Sequence, residues 1–224
     1  MTLIAPRVVL YGIGSPLVVD AEESCARAGV PIEAGVHNVD GPVYVTDAVR
    51  VIARADVGAR ERACAIVVAL FTPGHRQAAV EDARAAGFAL GATLVDPTAA
   101  VARTSTLGEG VYVNAGSVVA GACAIEAWVL VNRSASIGHH ARIGAYASIG
   151  PGAVLCGSVV VGRGAVVGAG SVVHPGVEIG ANAIVAAGSV VHDNVPPNSI
   201  AEGNPCRIKR ADVAGYNRVA VRGP

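Results

Sequence analysis

One aliphatic residue recurs at every sixth position between Val95 and Val191, and this period constrains the fold more than any other feature of the chain. Its members are all Val, Ile or Leu: Val95, Val101, Leu107, Val113, Val119, Ile125, Val131, Ile137, Ile143, Ile149, Leu155, Val161, Val167, Val173, Ile179, Val185 and Val191. An α-helix repeats every 3.6 residues and a simple strand every two, so neither produces a strict period of six. The period predicts a parallel β-helix, in which short strands wind around a prism and each coil buries its aliphatic residues against the next.

The residues before this stretch follow a different pattern, in which apolar runs alternate with helical segments. We predict strands at 7–12, 32–37 and 65–70, a short extended piece at 43–47, and helices at about 18–28, 48–55 and 75–86. Alternating strands and helices indicate a small parallel sheet of the Rossmann-like type. Residues 1–92 therefore form a predicted α/β domain, and residues 93–205 the β-helix.

After Val191 the period stops at Asp193–Pro197, where two prolines follow one another. Proline cannot continue a hydrogen-bonded ladder, so we predict that the chain leaves the prism there. The remaining tail, residues 206–224, is short and basic. We expect it to lie on a neighbouring surface or to be partly disordered.

Charge and cysteine content limit the kinds of partner. Seventeen basic residues balance seventeen acidic ones, so neither nucleic acid nor an anionic membrane is an expected partner, and a small molecule is favoured.

The five cysteines are scattered and lack CxxC spacing, which indicates reduced thiols and a cytoplasmic protein. The first residues lack a signal-peptide layout, and the longest apolar run, 63–71, is too short to span a bilayer.

Several motifs together resemble a known family. They are the glycine turn after the first strand, the hexads, the segment VNRSASIGHHARIGAYASIGPGAVLCG, the GAGSVV and AAGSVV repeats and the exit VPPNSIAEGNP. They resemble bacterial nucleotide-sugar acetyltransferases, which include bacillosamine-pathway N-acetyltransferases and sialic-acid O-acetyltransferases. The resemblance covers about residues 7–210. It implies a left-handed β-helix with three hexads per coil, a homotrimer, and acetyl-CoA bound in a groove between neighbouring β-helices.

The resemblance places the catalytic histidine at His139, which we expect on a turn outside the prism, two residues past Ile137. Histidine suits proton removal near neutral pH. The family has Asp or Glu at the next position, where this chain has His140, and often a second histidine where it has Ser148. The sequence therefore does not identify the group that orients His139, which is a backbone carbonyl, a water or a carboxylate of another subunit. The alternative is that His140 takes the proton in place of His139.

The remaining candidates also follow from the resemblance. Asn132 matches an asparagine of the family and is a candidate for substrate binding. The alternative is that Asn132 is an outward-pointing turn residue without a role in binding. For the nucleotide sugar, the resemblance suggests Gly12, Gly14 and Asn38 as contacts. His140 is a further candidate. The alternative explanation of the two glycines is that they simply form a tight turn. For acetyl-CoA the candidates are Gly152, Gly168, Ala169, Gly170, Ala187 and Gly188, with Arg207 or Lys209 for phosphate. Corner requirements of the coil are the alternative for each glycine.

A metal site is the weakest interpretation. Cys156, His174 and His192 are spaced eighteen residues apart and stack on one corner of the prism, but a linear stack does not converge on zinc. We therefore predict no metal. The favoured function is an acetyl-CoA-dependent N-acetyltransferase acting on the amino group of a nucleotide-linked sugar, with His139 as general base. The alternatives are O-acetylation of a sugar or sialic acid, and a non-catalytic β-helix that binds a nucleotide or acts as a scaffold.

Overall fold

The six-residue period forms a parallel β-helix. The computed structural model describes residues 7–223, and in it every residue of the period ends a two-residue strand. These strands are β5 (Leu94–Val95), β6 (Ala100–Val101), β7 (Thr106–Leu107), β8 (Tyr112–Val113), β9 (Val118–Val119), β10 (Ala124–Ile125), β11 (Leu130–Val131), β12 (Ser136–Ile137), β13 (Arg142–Ile143), β14 (Ser148–Ile149), β15 (Val154–Leu155), β16 (Val160–Val161), β17 (Val166–Val167), β18 (Val172–Val173), β19 (Glu178–Ile179), β20 (Ile184–Val185) and β21 (Val190–Val191).

Each strand pairs in parallel with the strand three places further along, so the prism has three faces. Val131, for example, pairs with Val113 on one side and Ile149 on the other. The first face contains β5, β8, β11, β14, β17 and β20. The second face contains β6, β9, β12, β15, β18 and β21, and the third contains β7, β10, β13, β16 and β19.

The prism interior is a ladder of aliphatic and small side chains. Ile149 and Ala147, two residues earlier, are both fully buried, and the same pair of positions is buried coil after coil. Val95, Val101 and Leu107 are only partly buried, because no coil precedes the first one. Each six-residue repeat therefore places one aliphatic and one small side chain in the interior, two residues apart, because alternate side chains of an extended chain point to the same side.

The corners explain where the repeat requires glycine. A Cβ added at Gly138 would lie 2.5 Å from the carbonyl carbon of Cys156, and one added at Gly150 would lie 2.6 Å from the nitrogen of Ala169. Side chains at these positions would therefore force the coils apart. Two residues further on, every corner from Gly110 to Gly188 has a positive φ, a conformation that glycine adopts most easily.

The N-terminal region is a parallel sheet with helices, and its strand order is β3-β2-β1-β4. Its elements are β1 (Val8–Tyr11), α1 (Val18–Ala28), β2 (Ile32–His37), β3 (Val51–Ala53), α2 (Ala59–Arg62), β4 (Ala65–Val67) and α3 (Pro73–Ala85), with a 3₁₀ turn at Arg54–Asp56. The predicted helix at 18–28 and strand at 32–37 are confirmed. Residues 1–6 of the predicted domain and residue 224 of the predicted tail lie outside the described residues.

The predicted helix at about 48–55 is wrong. Val51, Ile52 and Ala53 instead form β3, which pairs with residues 35–37 of β2. Two β-branched residues favour a strand, and pairing with an existing sheet edge overrides the helical propensity of the neighbouring alanines. The predicted strand at 65–70 is also shorter than expected, because it ends at Val67, and residues 43–47 are irregular rather than a strand.

The α/β region packs on the first face of the prism. Outward side chains of that face, Leu94, Tyr112 and Leu130, are buried in one cluster with residues of β1 and α1. Trp128, at the corner between the third and first faces, is buried in a second cluster with residues of α3. The second and third faces carry no such cover in residues 7–223.

The end of the prism differs from the prediction. Val195 still pairs with Ile179, and β22 (Ile200–Glu202) pairs in parallel with β20 on the first face. The prolines therefore bend the chain without ending the coil, and the interior continues to Ala201, which is fully buried. The strand β23 (Arg207–Arg210) then closes the face as an antiparallel partner of β22.

The tail folds back onto its own chain. The Tyr216 ring meets the Phe71 ring edge-on with centroids 5.6 Å apart. Gln77 of α3 exchanges two hydrogen bonds with the backbone of Arg222 at 2.8 and 2.9 Å, and Val221 is buried. None of the helices within residues 7–223 has the length and apolar character needed to cross a bilayer, and the five cysteines there are free thiols.

Asp96 ties α1 to the first coil. Its carboxylate accepts hydrogen bonds from Ser24 at 2.6 Å, Arg27 at 2.7 Å and the Thr98 hydroxyl at 2.6 Å. Burial by itself raises the pKa of such a carboxyl, but the bonds from Arg27, Ser24 and Thr98 outweigh it and hold the pKa of Asp96 well below its usual range.

We expect this contact to make stability depend on acid pH. Because the folded-state pKa is lowered, the stabilisation is complete above the ordinary aspartate value of about 4 and is lost as the pH falls below it. Asp96→Asn should lower the free energy of unfolding near neutral pH by about 1–3 kcal/mol and weaken its fall in acid. Urea unfolding at several pH values measures both. Asp56→Asn, at an exposed position, is the control, and equal acid sensitivity of Asp96→Asn and the native chain would contradict the assignment.

Candidate functional site

His139 stands exposed on the corner between the second and third faces, which we call the histidine corner. The turn Gly138–Ala141 connects β12 to β13, and His139 and His140 are its exposed residues. The His139 ring lies over Gly157 of the next coil: a Cβ added at Gly157 would lie 2.6 Å from Cε1 and 2.8 Å from Nε2. The bare backbone of Gly157 therefore provides the space in which the imidazole lies.

The side chain in contact with Nδ1 of His139 is that of its neighbour His140. The two Nδ1 atoms are 3.0 Å apart, and the rings meet edge-on with centroids 5.2 Å apart. His140 has φ +61°, as the corner requires. Within residues 7–223 no carboxylate forms a hydrogen bond or ion pair with either ring.

Ser148 lies on another face and is fully buried. Its hydroxyl donates to the carbonyl of Phe71 at 2.6 Å and accepts from Arg76 at 3.1 Å. The Arg76 guanidinium also donates to the carbonyls of Trp128 and Tyr146 at 2.8 and 2.6 Å. Burial lowers the pKa of Arg76 to about 9, so it stays charged near neutral pH. The Arg76–Ser148 contact fastens α3 to the prism and is remote from His139.

Asn132 lies on the corner between the first and second faces, and it is buried rather than an outward turn residue. Its Oδ1 accepts from the backbone N–H of Arg133 at 2.8 Å and from Asn114 at 3.2 Å. Asn114 and Arg133 both also donate to Asp20 of α1 at 3.0 Å. The asparagine oxygen is thus occupied in the contact between the two regions, away from His139.

Gly12, Gly14 and Asn38 do come together. They line a cleft of about 690 Å³ at the carboxyl ends of β1, β2 and β4, together with the first turns of α3. A Cβ added at Gly12 would lie 3.6 Å from the Asn38 Oδ1. In open parallel sheets, ligands bind at this end of the strands.

Sequence analysis missed other residues of this cleft, namely Thr72, His75 and Asp82. Asp82 accepts hydrogen bonds from the Tyr11 hydroxyl and from Arg54, both at 2.5 Å. Burial and the bond to Asp82 raise the pKa of Tyr11, so the hydroxyl that donates to Asp82 belongs to a neutral phenol. The run Thr72-Pro73-Gly74-His75 after a predicted strand was the available signal, because proline at the first helical position marks a helix start.

The candidates for acetyl-CoA lie on the corner between the first and second faces, which we call the glycine corner. At Gly152, Gly170 and Gly188 an added Cβ would meet nothing within 4 Å, so these positions form an open strip. The backbone N–H groups of Ala169 and Ala187 have no acceptor within the described part of the chain. Gly168 differs from this set, because a Cβ there would lie 2.5 Å from the nitrogen of Ala187.

Arg207 and Lys209 are exposed on β23 at the end of the prism. Arg207 lies 3.9 Å from Asp193, and Lys209 lies 3.7 Å from Glu202. Such exposed pairs are weak, so both cations can turn to another anion.

Cys156, His174 and His192 stack along the histidine corner. The His174 and His192 rings lie 3.9 Å apart between centroids and are tilted by 57°, so the rings contact each other rather than converging on a central point. No group of three or more His, Cys, Asp or Glu side chains placed to hold a metal occurs in residues 7–223.

The cleft and His139 lie on opposite sides of the prism. The α/β region covers the first face, and the histidine corner is where the other two faces meet, so it is the vertex opposite the first face. The width of the prism separates the two within one chain.

Comparisons with known proteins agree with this architecture. Residues 140–175 and 158–193 match the family described as bacterial transferase hexapeptide (six repeats), and the repeats and parallel strands fit a left-handed β-helix. No curated protein matches the chain significantly. Among solved structures, PerB from Caulobacter crescentus, in complex with CoA and GDP-perosamine, is 34% identical with a TM-score of 0.82, covering 91% of this chain and 97% of PerB.

Two further structures are similar. The acetyltransferase domain of PglB from Neisseria gonorrhoeae, in complex with acetyl coenzyme A, is 26% identical with a TM-score of 0.80, over 91% of this chain and 99% of that domain. WeeI from Acinetobacter baumannii, at 21% identity, TM-score 0.76 and coverage of 91% and 99%, shares the fold. With one relative above 30% identity over nearly its whole length, the chain belongs to the hexapeptide-repeat nucleotide-sugar acetyltransferase family and is an acyltransferase.

Proposed function

We propose that the protein transfers the acetyl group of acetyl-CoA to the amino group of a nucleotide-linked amino sugar. One observation carries this proposal: an exposed imidazole, His139, stands on the prism of a chain that is 34% identical to an enzyme crystallised with CoA and GDP-perosamine. The same enzyme with one histidine replaced by asparagine or alanine matches at 33% identity.

The cleft at Gly12, Gly14 and Asn38 is the proposed site of the nucleotide, and the α/β region is its Rossmann-like binding domain. The loop of Gly12 and Gly14 precedes α1, and the dipole of that helix favours a phosphate at this end. The Asn38 amide and the exposed His75 supply hydrogen bonds for the base, ribose or sugar. The cleft volume of about 690 Å³ is in the usual range for a site of this kind.

The glycine corner is the proposed site of acetyl-CoA. The free N–H groups of Ala169 and Ala187 suit the amide carbonyls of the pantetheine arm, and the bare backbone at Gly170 and Gly188 lets that arm approach closely. At the end of the prism, Arg207 or Lys209 can pair with phosphate. Gly168 is not part of the proposed acetyl-CoA site, because the close stacking of the coils already explains why glycine is required there.

His139 acts in this proposal as general base. The amine nitrogen attacks the thioester carbonyl carbon, forming the C–N bond, while the His139 imidazole accepts the amine proton. The tetrahedral oxyanion, stabilised by backbone N–H groups, then collapses, and the C–S bond breaks. CoA leaves as a thiolate and takes the proton held by the His139 imidazolium, which restores the neutral base.

The proposed site requires a second subunit, because His139 and the cleft of one chain lie on opposite sides of the prism. The outer side of the second face is mainly apolar: Val118 and Val154 are 45% and 38% exposed, with Val172 and Val190 partly exposed beside them. An uncovered apolar face of this kind indicates a protein contact. We propose a homotrimer in which this face packs on a neighbouring copy, so that His139 of one subunit faces the cleft of another.

Val154→Glu tests the proposed contact. A charge buried in an apolar interface is costly, so we expect the variant to run as a monomer and to lose most activity while keeping its secondary structure. Light scattering and circular dichroism give the two readouts. Val51→Glu changes a 45% exposed valine on the edge strand of the α/β sheet and should remain a trimer. A Val154→Glu protein that stays trimeric would remove the second face from the interface.

An acceptor panel tests the proposed reaction. The native protein is incubated with acetyl-CoA and UDP-, dTDP- or GDP-linked amino sugars, alongside the matching sugars with hydroxyl in place of amine, and products are identified by mass spectrometry. We expect N-acetylation of at least one amino sugar and none of its hydroxyl counterpart. Acetylation of hydroxyl acceptors alone, or of none, would overturn the proposal.

A further inference from the structure

His140 occupies the position next to the proposed base, and its side chain turns toward that base. The positive φ of His140 follows from the corner, since Ala122 and Ser158 share it on the adjacent coils. The result is a contact of 3.0 Å between the Nδ1 atoms of His139 and His140. Two imidazole nitrogens at this distance share a single hydrogen, so one ring donates and the other accepts.

We infer that His140 is a positioning residue whose Nδ1 accepts the hydrogen bond from Nδ1–H of His139. This inference rests on the proposed function, because it assigns the tautomer that a base at His139 needs. With the hydrogen on Nδ1, the lone pair of His139 is on Nε2, which can accept the amine proton. The resulting imidazolium donates a charge-assisted hydrogen bond to the neutral His140, so the contact strengthens as the proton arrives.

The turns on either side of His139 and His140 carry no carboxylate that could orient the His139 ring in place of His140. The corner turns on either side consist of residues 120–122 and 156–158, of which only Cys156 is titratable. The backbone N–H of His140 donates to the carbonyl of Gly121 at 3.0 Å, and the carbonyl of His139 accepts from Ser158 at 2.8 Å. Arg142 begins the next strand and is exposed. No carboxylate lies on these turns to orient the His139 ring.

The test uses two substitutions that keep the corner geometry. His140→Gly removes the imidazole and relieves the left-handed backbone, so its melting temperature should equal or exceed that of the native protein. We expect its kcat to fall by about 10-fold to 100-fold, with the KM values of both substrates within about 2-fold of native. His140→Asp should restore most of that loss. It should also move the acidic limb of the kcat/KM profile to higher pH, because a carboxylate favours the protonated His139.

Ala122→Gly is the matched control, since it makes the same backbone change on the same corner one coil earlier; it should leave kcat unchanged. A His140→Gly protein with native kcat and an unchanged pH profile would overturn the inference. So would a His140→Asp protein no more active than His140→Gly. Failure of the proposed function itself appears elsewhere, as native turnover in a His139→Ala protein.

Discussion

Replacing His139 with alanine should lower kcat/KM by about 10²-fold to 10⁴-fold, the usual contribution of a general base. His139 is exposed and takes part in no hydrogen bond that holds the coils together except through its backbone carbonyl. The variant should therefore keep the native melting temperature. Steady-state kinetics with acetyl-CoA and the best acceptor of the panel, together with thermal unfolding, give both quantities.

His174→Ala is the control for this experiment, because His174 lies on the same corner two coils further along and contacts His192 rather than the proposed base. It should leave turnover close to native. Native turnover in His139→Ala would remove the residue from the mechanism and would leave the family assignment untouched.

Gly157→Ala should reduce activity almost as strongly while changing only a hydrogen to a methyl group. Gly157 does not have the positive φ that favours glycine, so alanine fits its backbone. The added Cβ would lie 2.6 Å from Cε1 and 2.8 Å from Nε2 of His139, and the three nearest atoms all belong to that ring. The imidazole must move away, and a displacement of about 1 Å can cost about 10²-fold in rate. The loss should appear in kcat, with little change in melting temperature.

Gly121→Ala is the matched control, since Gly121 holds the same corner position one coil before His139. A Cβ there approaches only the Thr104 hydroxyl, at 3.1 Å, so turnover should stay native. Equal turnover of the Gly157→Ala and Gly121→Ala proteins would show that the His139 ring does not need the space over Gly157.

The period of six was sufficient to predict the prism, because each interior position of a β-helix is fixed by the coil below it. The same regularity placed His139 on an exterior turn, since it follows Ile137 by two residues. Local propensity was less reliable where tertiary pairing decides the outcome. Val51–Ala53 became a strand by pairing with β2, and the coil passed through Pro196 and Pro197 because β22 still found a partner in β20.

The division of the site between two sides of the prism was not predictable from local patterns. It depends on which face the α/β region covers, and that is decided by contacts between distant residues, such as Arg76 with Ser148 and Asn114 with Asp20. The same contacts explain why Asn132 is buried. Thr72, His75 and Asp82 were missed for a related reason, since only the folded sheet brings the start of α3 beside the glycine loop.

A mixed-subunit experiment tests the central claim that His139 of one subunit serves the cleft of another. Two inactive variants are co-expressed with different tags: His139→Ala, and Ala78→Trp, which fills the cleft from an exposed position of α3. Oligomers carrying both tags are isolated and assayed for N-acetylation. If neighbouring subunits share each site, every mixed trimer has one intact site of three, and activity should recover to about one third of native. Mixed trimers as inactive as either parent would contradict the account.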